Sequence, residues 1–362
     1  MRVLHLYHDF WPARGGIEDY LADLLPQQAA AGDEPILLCA SPDAATVEEW
    51  FRGVRVIRAG ALGRYYTPFC PAWPGWIRRL RPDLIHLHLP CPLGEWALLL
   101  ADRRTPLVVS LHNEYVRPRW ALAFQQRVQQ RVMQRAAAIL VGAPDYAATS
   151  PVLAGHHRKV HHAPYAIDLA RYAAAENGPR HGVLFAGRLT YYKGVEVLLA
   201  AAPQIPAAVT VAGDGPWRAR LEHQARALGL AGRVAFLGAV GETRLIDLMQ
   251  RSRVFVFPST ARSESFGLAQ LKAMACGLPV VSTTLPGVSW LNQHGRTGLT
   301  APPQDAAALA AAVNRLLADD ELHGSLAAGA AARARQFDLA AMAASVRSVY
   351  AQVLNHAQPA HL

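Results

Sequence analysis

Short runs of apolar residues alternate along the chain with longer segments in which apolar residues recur at every third or fourth position. The short runs predict buried strands, and the longer segments predict amphipathic helices. The strands predicted in the first part of the chain cover residues 3–7, 36–40, 54–59, 84–89, 107–111, 139–142 and 159–163. With a first helix predicted at residues 18–31, this alternation is typical of an open parallel sheet with helices on both faces.

A polar segment with glycine and proline at residues 173–182 interrupts the pattern, which then begins again. The strands predicted after it cover residues 182–186, 209–212, 234–237, 254–257 and 280–283. Three alanine-rich helices follow, at residues 305–318, 320–336 and 338–355. Because 362 residues suffice for two domains, we predict an α/β protein with two doubly wound parallel-sheet domains, at residues 1–170 and 171–337.

The net charge of +9 comes almost wholly from arginine, since the lysines are Lys159, Lys193 and Lys272. Both halves share this charge, so neither is a basic domain of the nucleic-acid-binding type. One segment, residues 103–135, is unusual because its charged residues other than Glu114 are all arginines, at positions 103, 104, 117, 119, 127, 131 and 135. This segment is either a solvated helix face or a surface for an anionic partner such as a membrane.

The cysteines and the apolar runs indicate the compartment. Cys39, Cys70, Cys91 and Cys276 are scattered without metal-ligand spacing, which indicates reduced structural thiols. The N-terminus is too polar for a signal sequence, and no apolar run approaches the roughly 18 residues of a membrane span. We therefore expect a cytoplasmic protein, with membrane contact limited to the inner face of the cell membrane.

Two loops between a strand and a helix have the pattern that binds phosphate. One ends in Gly15 and Gly16, and the other runs through Glu264, Ser265, Phe266 and Gly267 to a helix that begins near Leu268. A helix N-terminus presents free N–H groups and the positive end of the helix dipole to an anion. The Glu264 carboxylate can also accept hydrogen bonds from hydroxyls on the molecule that carries the phosphate. Alone, Glu264 is equally well interpreted as an ordinary carboxylate at a helix terminus.

A third loop, GRLTYYKG at residues 187–194, places Arg188 and Lys193 between two glycines, Gly187 and Gly194. Arginine forks onto phosphate oxygens, and lysine acts as a mobile point charge. The pair suits a diphosphate leaving group, whose developing negative charge the two cations would stabilise. The alternative is a surface loop with unrelated charges.

The histidines give a weaker signal. His86 and His88 share a strand face, but no third ligand is near, so a metal site is not expected. His112 follows the next strand and is either a core histidine or a site residue. The chain has no GxSxG, no GxxxxGK[ST], no Ser-His-Asp order and no Asp-x-Asp pair of the kind that holds a divalent ion on a nucleotide sugar.

Taken together, these motifs resemble the retaining glycosyltransferases of family GT4, which have the GT-B fold of two facing Rossmann-like domains. The resemblance spans nearly the whole chain. Its motifs are the Gly15-Gly16 loop, His112, GRLTYYKG at 187–194, GDGP at 213–216, VAFLGAV at 234–240, PSTARSESFGLAQLKAMACGLPVVST at 258–283 and NQHGRTGL at 292–299. Within the family, the chain is most similar to bacterial mannosyl- and rhamnosyltransferases of polysaccharide, lipopolysaccharide and O-antigen assembly. The resemblance implies a GDP-linked donor.

The resemblance also implies roles for single residues. Arg188 and Lys193 would neutralise the diphosphate, Glu264 would bind the sugar hydroxyls, and His112 would lie beside the reacting sugar. The other implied donor-binding residues are Gly15, Gly16, Gly187, Gly238, Val240, Ser265, Phe266, Gly267, Leu268 and Lys272. No metal or other cofactor is expected, and the helix at 338–355 would cross back onto the N-terminal domain.

Lys272 departs from the family pattern, which has a ribose-binding glutamate eight residues after the first glutamate. A carboxylate accepts from both ribose hydroxyls, whereas an ammonium only donates, so the change loses a hydrogen bond of about 1–3 kcal/mol. Three explanations stay open: Lys272 contacts the ribose or the diphosphate, the donor differs, or the chain is a non-catalytic subunit that binds nucleotide sugars.

The N-terminal domain of such enzymes holds the acceptor, here a glycan or a polyprenyl-linked glycan. Aromatic residues interleave with arginines at Tyr65, Tyr66, Phe69, Trp73, Trp76, Arg64, Arg78, Arg79 and Arg81, and again at Trp120 and Phe124. This composition suits contact with an anionic membrane that presents a lipid-linked acceptor. The alternative is ordinary packing in an arginine-rich protein.

Overall fold

The computed structural model describes residues 1–13, 15–62, 69–101, 104–115, 122–173 and 178–357. The chain forms two compact units. Unit 1 comprises Met1–Ala166 together with the segment that begins at Leu339, and unit 2 comprises Ile167–Asp338. The predictions made for residues 64–66, 103, 117, 119 and 120 lie outside the described residues.

The strands of unit 1 form one sheet. They are β1 (Arg2–Leu6), β2 (Glu34–Ala40), β3 (Val47–Phe51), β4 (Val54–Ala59), β5 (Leu84–Leu89), β6 (Leu107–Leu111), β7 (Ala138–Val141) and β8 (Val160–His162). The spatial order is β3-β4-β2-β1-β5-β6-β7-β8, and every neighbouring pair is parallel except β3 and β4. The expectation of a purely parallel sheet was wrong at β3. This edge strand lacks an apolar run because most of its side chains are exposed.

In the described part of unit 1, five α-helices connect these strands. They are α1 (Gly16–Ala30), α2 (Trp73–Leu80), α3 (Pro92–Ala101), α4 (Leu122–Arg135) and α5 (Pro144–Thr149). Helix α1 begins at the predicted glycine pair, and Leu21, Leu24 and Leu25 form part of its fully buried face. The strands β1 and β5 are neighbours although a long segment separates them in the chain, so the strand order reverses direction there.

Unit 2 is a second sheet with helices. Its strands are β9 (His181–Ala186), β10 (Val209–Ala212), β11 (Val234–Gly238), β12 (Ser252–Phe257), β13 (Val280–Thr283) and β14 (Gly298–Ala301). Its helices are α6 (Val195–Ala201), α7 (Arg218–Ala227), α8 (Glu242–Arg251), α9 (Leu268–Ala275), α10 (Val288–Leu291), α11 (Ala306–Ala318) and α12 (Asp320–Ala334). The order β11-β10-β9-β12-β13-β14 is wholly parallel and reverses direction between β9 and β12.

The final helix, α13 (Leu339–Ala357), packs against α1 within unit 1. Arg347 of α13 forms an ion pair with Asp33, whose side chain is buried, with Nε 2.6 Å from Oδ2. Tyr350 of α13 is fully buried and accepts a hydrogen bond from Gln28. These contacts anchor the C-terminal segment to the first unit. Among the described residues, no helix has the length and apolarity that a bilayer span requires.

Candidate functional site

Open parallel sheets bind ligands beyond the carboxyl ends of their strands, at the point where the strand order reverses. In unit 2 this point lies between β9 and β12, and the loops after them are residues 187–194 and 258–267. The Thr260 amide donates to the Tyr192 carbonyl at 2.8 Å, so the two loops touch through their backbones. Gly194 permits this approach because its φ is +69° and a Cβ there would overlap the Pro258 carbonyl.

Lys193 and Glu264 form an ion pair where these two loops meet. The Lys193 Nζ donates to Glu264 Oε2 at 2.5 Å, and only 13% and 12% of the two side chains are exposed. The ammonium also lies 5.1 Å from the Phe257 ring centroid and 5.3 Å from that of Tyr192. Burial disfavours the ammonium, but Glu264 and then Tyr192 outweigh it and raise the pKa of Lys193. The structure therefore brings together a permanent cation and a carboxylate.

Arg188 lies in the same loop but in a different environment. Its side chain is exposed, and it takes part in no ion pair or hydrogen bond found among the described residues. Its charge is available to a solvent-borne anion, whereas that of Lys193 already faces Glu264. The two cations predicted to act together therefore have distinct surroundings.

The helix predicted to start behind Gly267 is α9, which begins at Leu268. Gly267 precedes it with φ +90°, a conformation that favours glycine. The Gln270 amide donates to the Gly267 carbonyl at 3.0 Å, so the Leu268 amide lies ahead of the helical hydrogen-bond ladder. The Phe266 side chain is buried against Trp290 and Phe337, while Ser265 and Leu268 are half-buried. Any ligand contact by Phe266 would therefore be made by its backbone.

Backbone hydrogen bonds join the remaining predicted donor-binding positions of unit 2 to the ends of the first three strands. The Gly187 amide donates to the Ala212 carbonyl at 3.0 Å, and the Gly213 amide donates to the Gly238 carbonyl at 2.7 Å. Val240 is half-buried in the segment between β11 and α8. Gly187 and Gly238 therefore lie at the carboxyl edge of the sheet.

Lys272 lies in the second turn of α9, with its Nζ 5.6 Å from the Tyr172 ring centroid. The Tyr172 hydroxyl donates to Glu242 Oε1 at 2.8 Å, and Arg171 lies 3.5 Å from the other oxygen of the same carboxylate. Glu242 is the first residue of α8. Tyr172 therefore links the unusual lysine to a carboxylate that the sequence analysis did not identify as a site residue.

In unit 1, Gly15 and Gly16 lie at the start of α1, and His112 directly follows β6. Only 4% of His112 is exposed, and both ring nitrogens have partners. Its Nε2 lies 2.9 Å from His88 Nδ1, and its Nδ1 lies 2.5 Å from the Tyr165 hydroxyl. Burial lowers the pKa of His112 to about 3, so the ring is neutral at physiological pH.

The expectation that no third ligand lies near His86 and His88 was wrong. His5 on β1 lies 3.0 Å from His88, between Nδ1 and Nε2, although 83 residues separate the two in the chain. The ligand atoms of His5, His86 and His88 lie within 4.8 Å of one another. Each of their ring nitrogens lies within hydrogen-bond distance of a neighbouring polar atom. The three histidines therefore form a hydrogen-bonded network with their polar neighbours.

Family profiles match both parts of the chain. Residues 14–171 match Glycosyltransferase Family 4, and residues 168–333 match Glycosyl transferases group 1. The D-rhamnosyltransferase WbpZ of Pseudomonas aeruginosa is 32% identical over 351 residues, which cover 93% of this chain and 92% of that protein. The O-antigen chain mannosyltransferase C of Escherichia coli is 30% identical over 334 residues, which cover 89% and 90%.

Solved structures agree with the fold. A sucrose-phosphate synthase from Thermosynechococcus elongatus superposes with a TM-score of 0.85 at 24% identity, covering 98% of this chain and 99% of that one. The Anabaena protein HepE, solved with UDP and glucose, superposes with a TM-score of 0.81 at 22% identity over 97% and 99%. The chain belongs to the GT4 glycosyltransferases with the GT-B fold, and it is a sugar-transferring enzyme.

Proposed function

We propose that this enzyme transfers a hexose of the mannose or rhamnose type from a GDP-linked donor to a glycan acceptor of cell-surface polysaccharide assembly. The observation that carries the proposal is the grouping of Arg188, Lys193 and Glu264 in the two loops where the strand order of unit 2 reverses. The relatives named above as rhamnosyl- and mannosyltransferases support the choice of sugar.

In the proposed mechanism, the diphosphate lies against Arg188 and Lys193. Arg188 forks onto phosphate oxygens, and Lys193 shares its charge between Glu264 and the phosphate. As the bond from the anomeric carbon to the phosphate oxygen breaks, negative charge grows on the leaving group. Cations that are already in place stabilise that charge without reorganisation. The amides at the start of α9 add further donors.

Glu264 is the proposed acceptor for the sugar hydroxyls. Its carboxylate has several lone pairs, of which Lys193 uses one, so the others can accept from the sugar. His112 and the loop at Gly15 and Gly16 are the proposed contributions of unit 1, to the sugar and the diphosphate respectively.

We propose retention of the anomeric configuration without a metal ion. The acceptor hydroxyl attacks the anomeric carbon on the face that the phosphate leaves, and the leaving phosphate oxygen takes the hydroxyl proton. One carbon–oxygen bond forms, one breaks, and the proton moves to the phosphate. Two cations and a helix N-terminus would supply the charge stabilisation that a divalent ion supplies in enzymes with an Asp-x-Asp pair.

The proposed acceptor is lipid-linked, and the proposed membrane contact is a patch formed by α3 and α4. The exposed rings of Trp96 and Phe124 lie 5.5 Å apart. Arg127 and Arg131 are exposed on the same face of α4 as Phe124, at helical spacings of three and four. Aromatic side chains beside arginines suit an anionic lipid surface.

Two experiments test these proposals. Purified enzyme is incubated with GDP-, UDP-, ADP- and dTDP-linked sugars and cell-envelope lipid, with and without a chelator. We expect turnover with a GDP-hexose, an unchanged rate in the chelator, and a product whose anomeric configuration by NMR matches the donor. Turnover only with another nucleotide would contradict the GDP-linked donor. Loss of activity in the chelator would contradict metal independence, and an inverted product would contradict retention.

For the membrane contact, co-sedimentation with anionic and with neutral vesicles is measured at low and high salt. We expect binding to anionic vesicles that weakens with salt, and weaker binding for the double substitution Arg127→Ser and Arg131→Ser. The matched control is Arg226→Ser on α7 of unit 2. Equal binding of the double variant and the control would remove the patch from the proposal.

A further inference from the structure

A continuous chain of hydrogen bonds crosses three neighbouring strands in the core of unit 1. It begins at Gln28 on α1, whose Oε1 lies 2.9 Å from Nε2 of His5. His5 Nδ1 lies 3.0 Å from Nε2 of His88 on β5, and His88 Nδ1 lies 2.9 Å from Nε2 of His112. The chain ends at the Tyr165 hydroxyl, 2.5 Å from His112 Nδ1. All five side chains are buried.

The chemistry of these groups gives the chain a direction. A neutral imidazole has one donor nitrogen and one acceptor nitrogen. Because the Gln28 oxygen only accepts, the proton of His5 lies on Nε2, and His5 Nδ1 accepts from His88. The same reasoning repeats at each ring, so His5, His88 and His112 are all protonated on Nε2. Nδ1 of His112 is left as the acceptor for the Tyr165 hydroxyl.

A second set of contacts continues from the nitrogen of the same Gln28 amide. Its Nε2 donates to the Tyr350 hydroxyl at 3.2 Å. The Tyr350 hydroxyl lies 2.5 Å from His86 Nδ1, and His86 Nε2 lies 2.8 Å from the Ser110 hydroxyl. With the amide in this orientation, Tyr350 is the donor to His86 and His86 is the donor to Ser110. Turning the amide over would reverse the donor in every bond of the chain at once. Burial keeps the rings neutral, with the pKa values of His5 and His112 lowered to about 3.

We propose that Gln28, His5 and His88 are positioning residues that hold His112 in a single tautomer, with Nε2 protonated and Nδ1 an acceptor. A substrate hydroxyl that replaces the Tyr165 hydroxyl at Nδ1 must then donate its proton to the ring nitrogen. His112 acts as a neutral acceptor and not as an acid. The contact with substrate rests on the proposed function, whereas the tautomer does not.

The tautomer is measured directly by NMR of the full-length enzyme labelled with ¹⁵N-histidine, because protonated and unprotonated ring nitrogens differ in chemical shift. The signals are assigned by the single substitutions His5→Gln, His88→Asn and His112→Ala. We expect His5, His88 and His112 to be neutral and all protonated on Nε2 at neutral pH. Protonation of His112 on Nδ1, or different tautomers in His5 and His112, would overturn the proposal.

Two substitutions of His88 form a matched pair. The asparagine amide reaches as far from the backbone as Nδ1 of the histidine. It therefore keeps an acceptor for His112 and loses the bond to His5. The glutamine amide reaches about as far from the backbone as Nε2 of the histidine. It therefore keeps the bond to His5 and loses the acceptor for His112. Each variant gives up one buried hydrogen bond, so similar thermal midpoints are expected for the two.

We expect His88→Asn to keep His112 protonated on Nε2 and to keep most of kcat. His88→Gln should give a mixture of His112 tautomers and lower kcat at least about tenfold, with the donor KM nearly unchanged. A single unchanged tautomer in both variants would refute the positioning role. If His112→Ala keeps wild-type turnover while the tautomers behave as expected, the proposed substrate contact of His112 fails and the positioning of the ring stands.

Discussion

The two sheets have the same architecture at the point where their strand order reverses, but unit 2 has charged side chains there and unit 1 has neutral ones. In unit 2 the loops there hold a buried ion pair, Lys193 with Glu264, beside the exposed cation Arg188. In unit 1 the equivalent strands β1 and β5 carry a chain of buried histidines that burial keeps neutral. Fixed charge suits a diphosphate, whereas a neutral chain fixes where a single proton lies. The ionic groups of unit 2 are thus suited to stabilising charge, and the histidines of unit 1 are suited to fixing the position of a proton.

The largest effect is expected from removing the fixed charge. Arg188→Ala or Glu264→Gln should lower kcat by about 10²–10³-fold, because Arg188 is proposed to stabilise the developing charge and Glu264 is proposed to bind the sugar. Steady-state kinetics measures this, with the donor that supports turnover in the nucleotide-sugar screen proposed above. Arg188→Lys is the control, since it keeps the positive charge but cannot donate two parallel hydrogen bonds to a phosphate. We expect a smaller decrease in kcat for this variant. Wild-type rates in both main variants would contradict the site.

Gly194 tests whether the contact between the two loops is structural. Gly194→Ala introduces a Cβ against the Pro258 carbonyl at positive φ, so the free energy of unfolding should fall by about 2–4 kcal/mol. Chemical denaturation measures it. Gly229→Ala is the matched control, because Gly229 also has positive φ (+68°) but no atom within 4 Å of the added Cβ. An equal loss in both variants would assign the effect to backbone strain alone.

Acid should destabilise unit 1 through its buried histidines. The folded pKa values of His5 and His112 are about 3, whereas an unfolded histidine titrates near 6.5. Below pH about 6.5 the histidines bind protons in the unfolded protein but not in the folded protein. The free energy of unfolding therefore falls as the pH falls. Each such histidine contributes about 1.4 kcal/mol per pH unit down to pH about 3.

Denaturation at a series of pH values measures this slope. His5→Gln removes one titrating ring and should make the stability profile shallower by up to about 1.4 kcal/mol per pH unit between pH 6 and 4. The matched control is His223→Gln on α7 of unit 2, which removes an exposed histidine without touching the buried chain of unit 1. Parallel profiles of wild type and His5→Gln would show that the ring is not neutral in the fold.

Tyr350 connects α13 to both the Gln28 amide and His86, so it tests the anchoring of the final helix. Tyr350→Phe leaves the Gln28 amide and the His86 Nδ1 without this partner and should cost about 1–3 kcal/mol of unfolding free energy. Thermal unfolding measures the loss. Removal of the hydroxyl without loss of stability would indicate that water replaces it.

The smallest effect is expected at Lys272. Lys272→Glu supplies a carboxylate that accepts from ribose hydroxyls, and it should tighten nucleotide binding by about 1 kcal/mol. Calorimetric titration with the nucleoside diphosphate measures the change, and Lys272→Gln separates loss of the lysine from gain of the carboxylate. Weaker binding in both variants would indicate that Lys272 itself contacts the nucleotide.

Much of the fold could be predicted because buried strands and amphipathic helices have local signatures. The prediction of a helix at residues 305–318 is confirmed by α11, and that of a strand at 84–89 by β5. The edge strand β3 was missed because its side chains face solvent and form no apolar run. For the site, glycines and cations marked the loops at 187–194 and 258–267.

Pairings between distant residues could not be predicted in the same way. Lys193 and Glu264 were singled out separately, but their ion pair joins positions 71 residues apart. His5 carried no signal at all, since its relation to His88 exists only because β1 and β5 are neighbours in register.

The sequence by itself determined the fold class, the family and the loops that hold charge, because periodicity and glycine-flanked cations are local properties. Only the tertiary structure decided which charges pair and which ring nitrogens of the histidines face one another. Those properties depend on the order and register of strands, which bring residues far apart in the chain within hydrogen-bond distance. Burial disfavours the Lys193 ammonium, but the contact with Glu264 outweighs it and raises the pKa of Lys193. At His5 and His112 burial itself lowers the pKa.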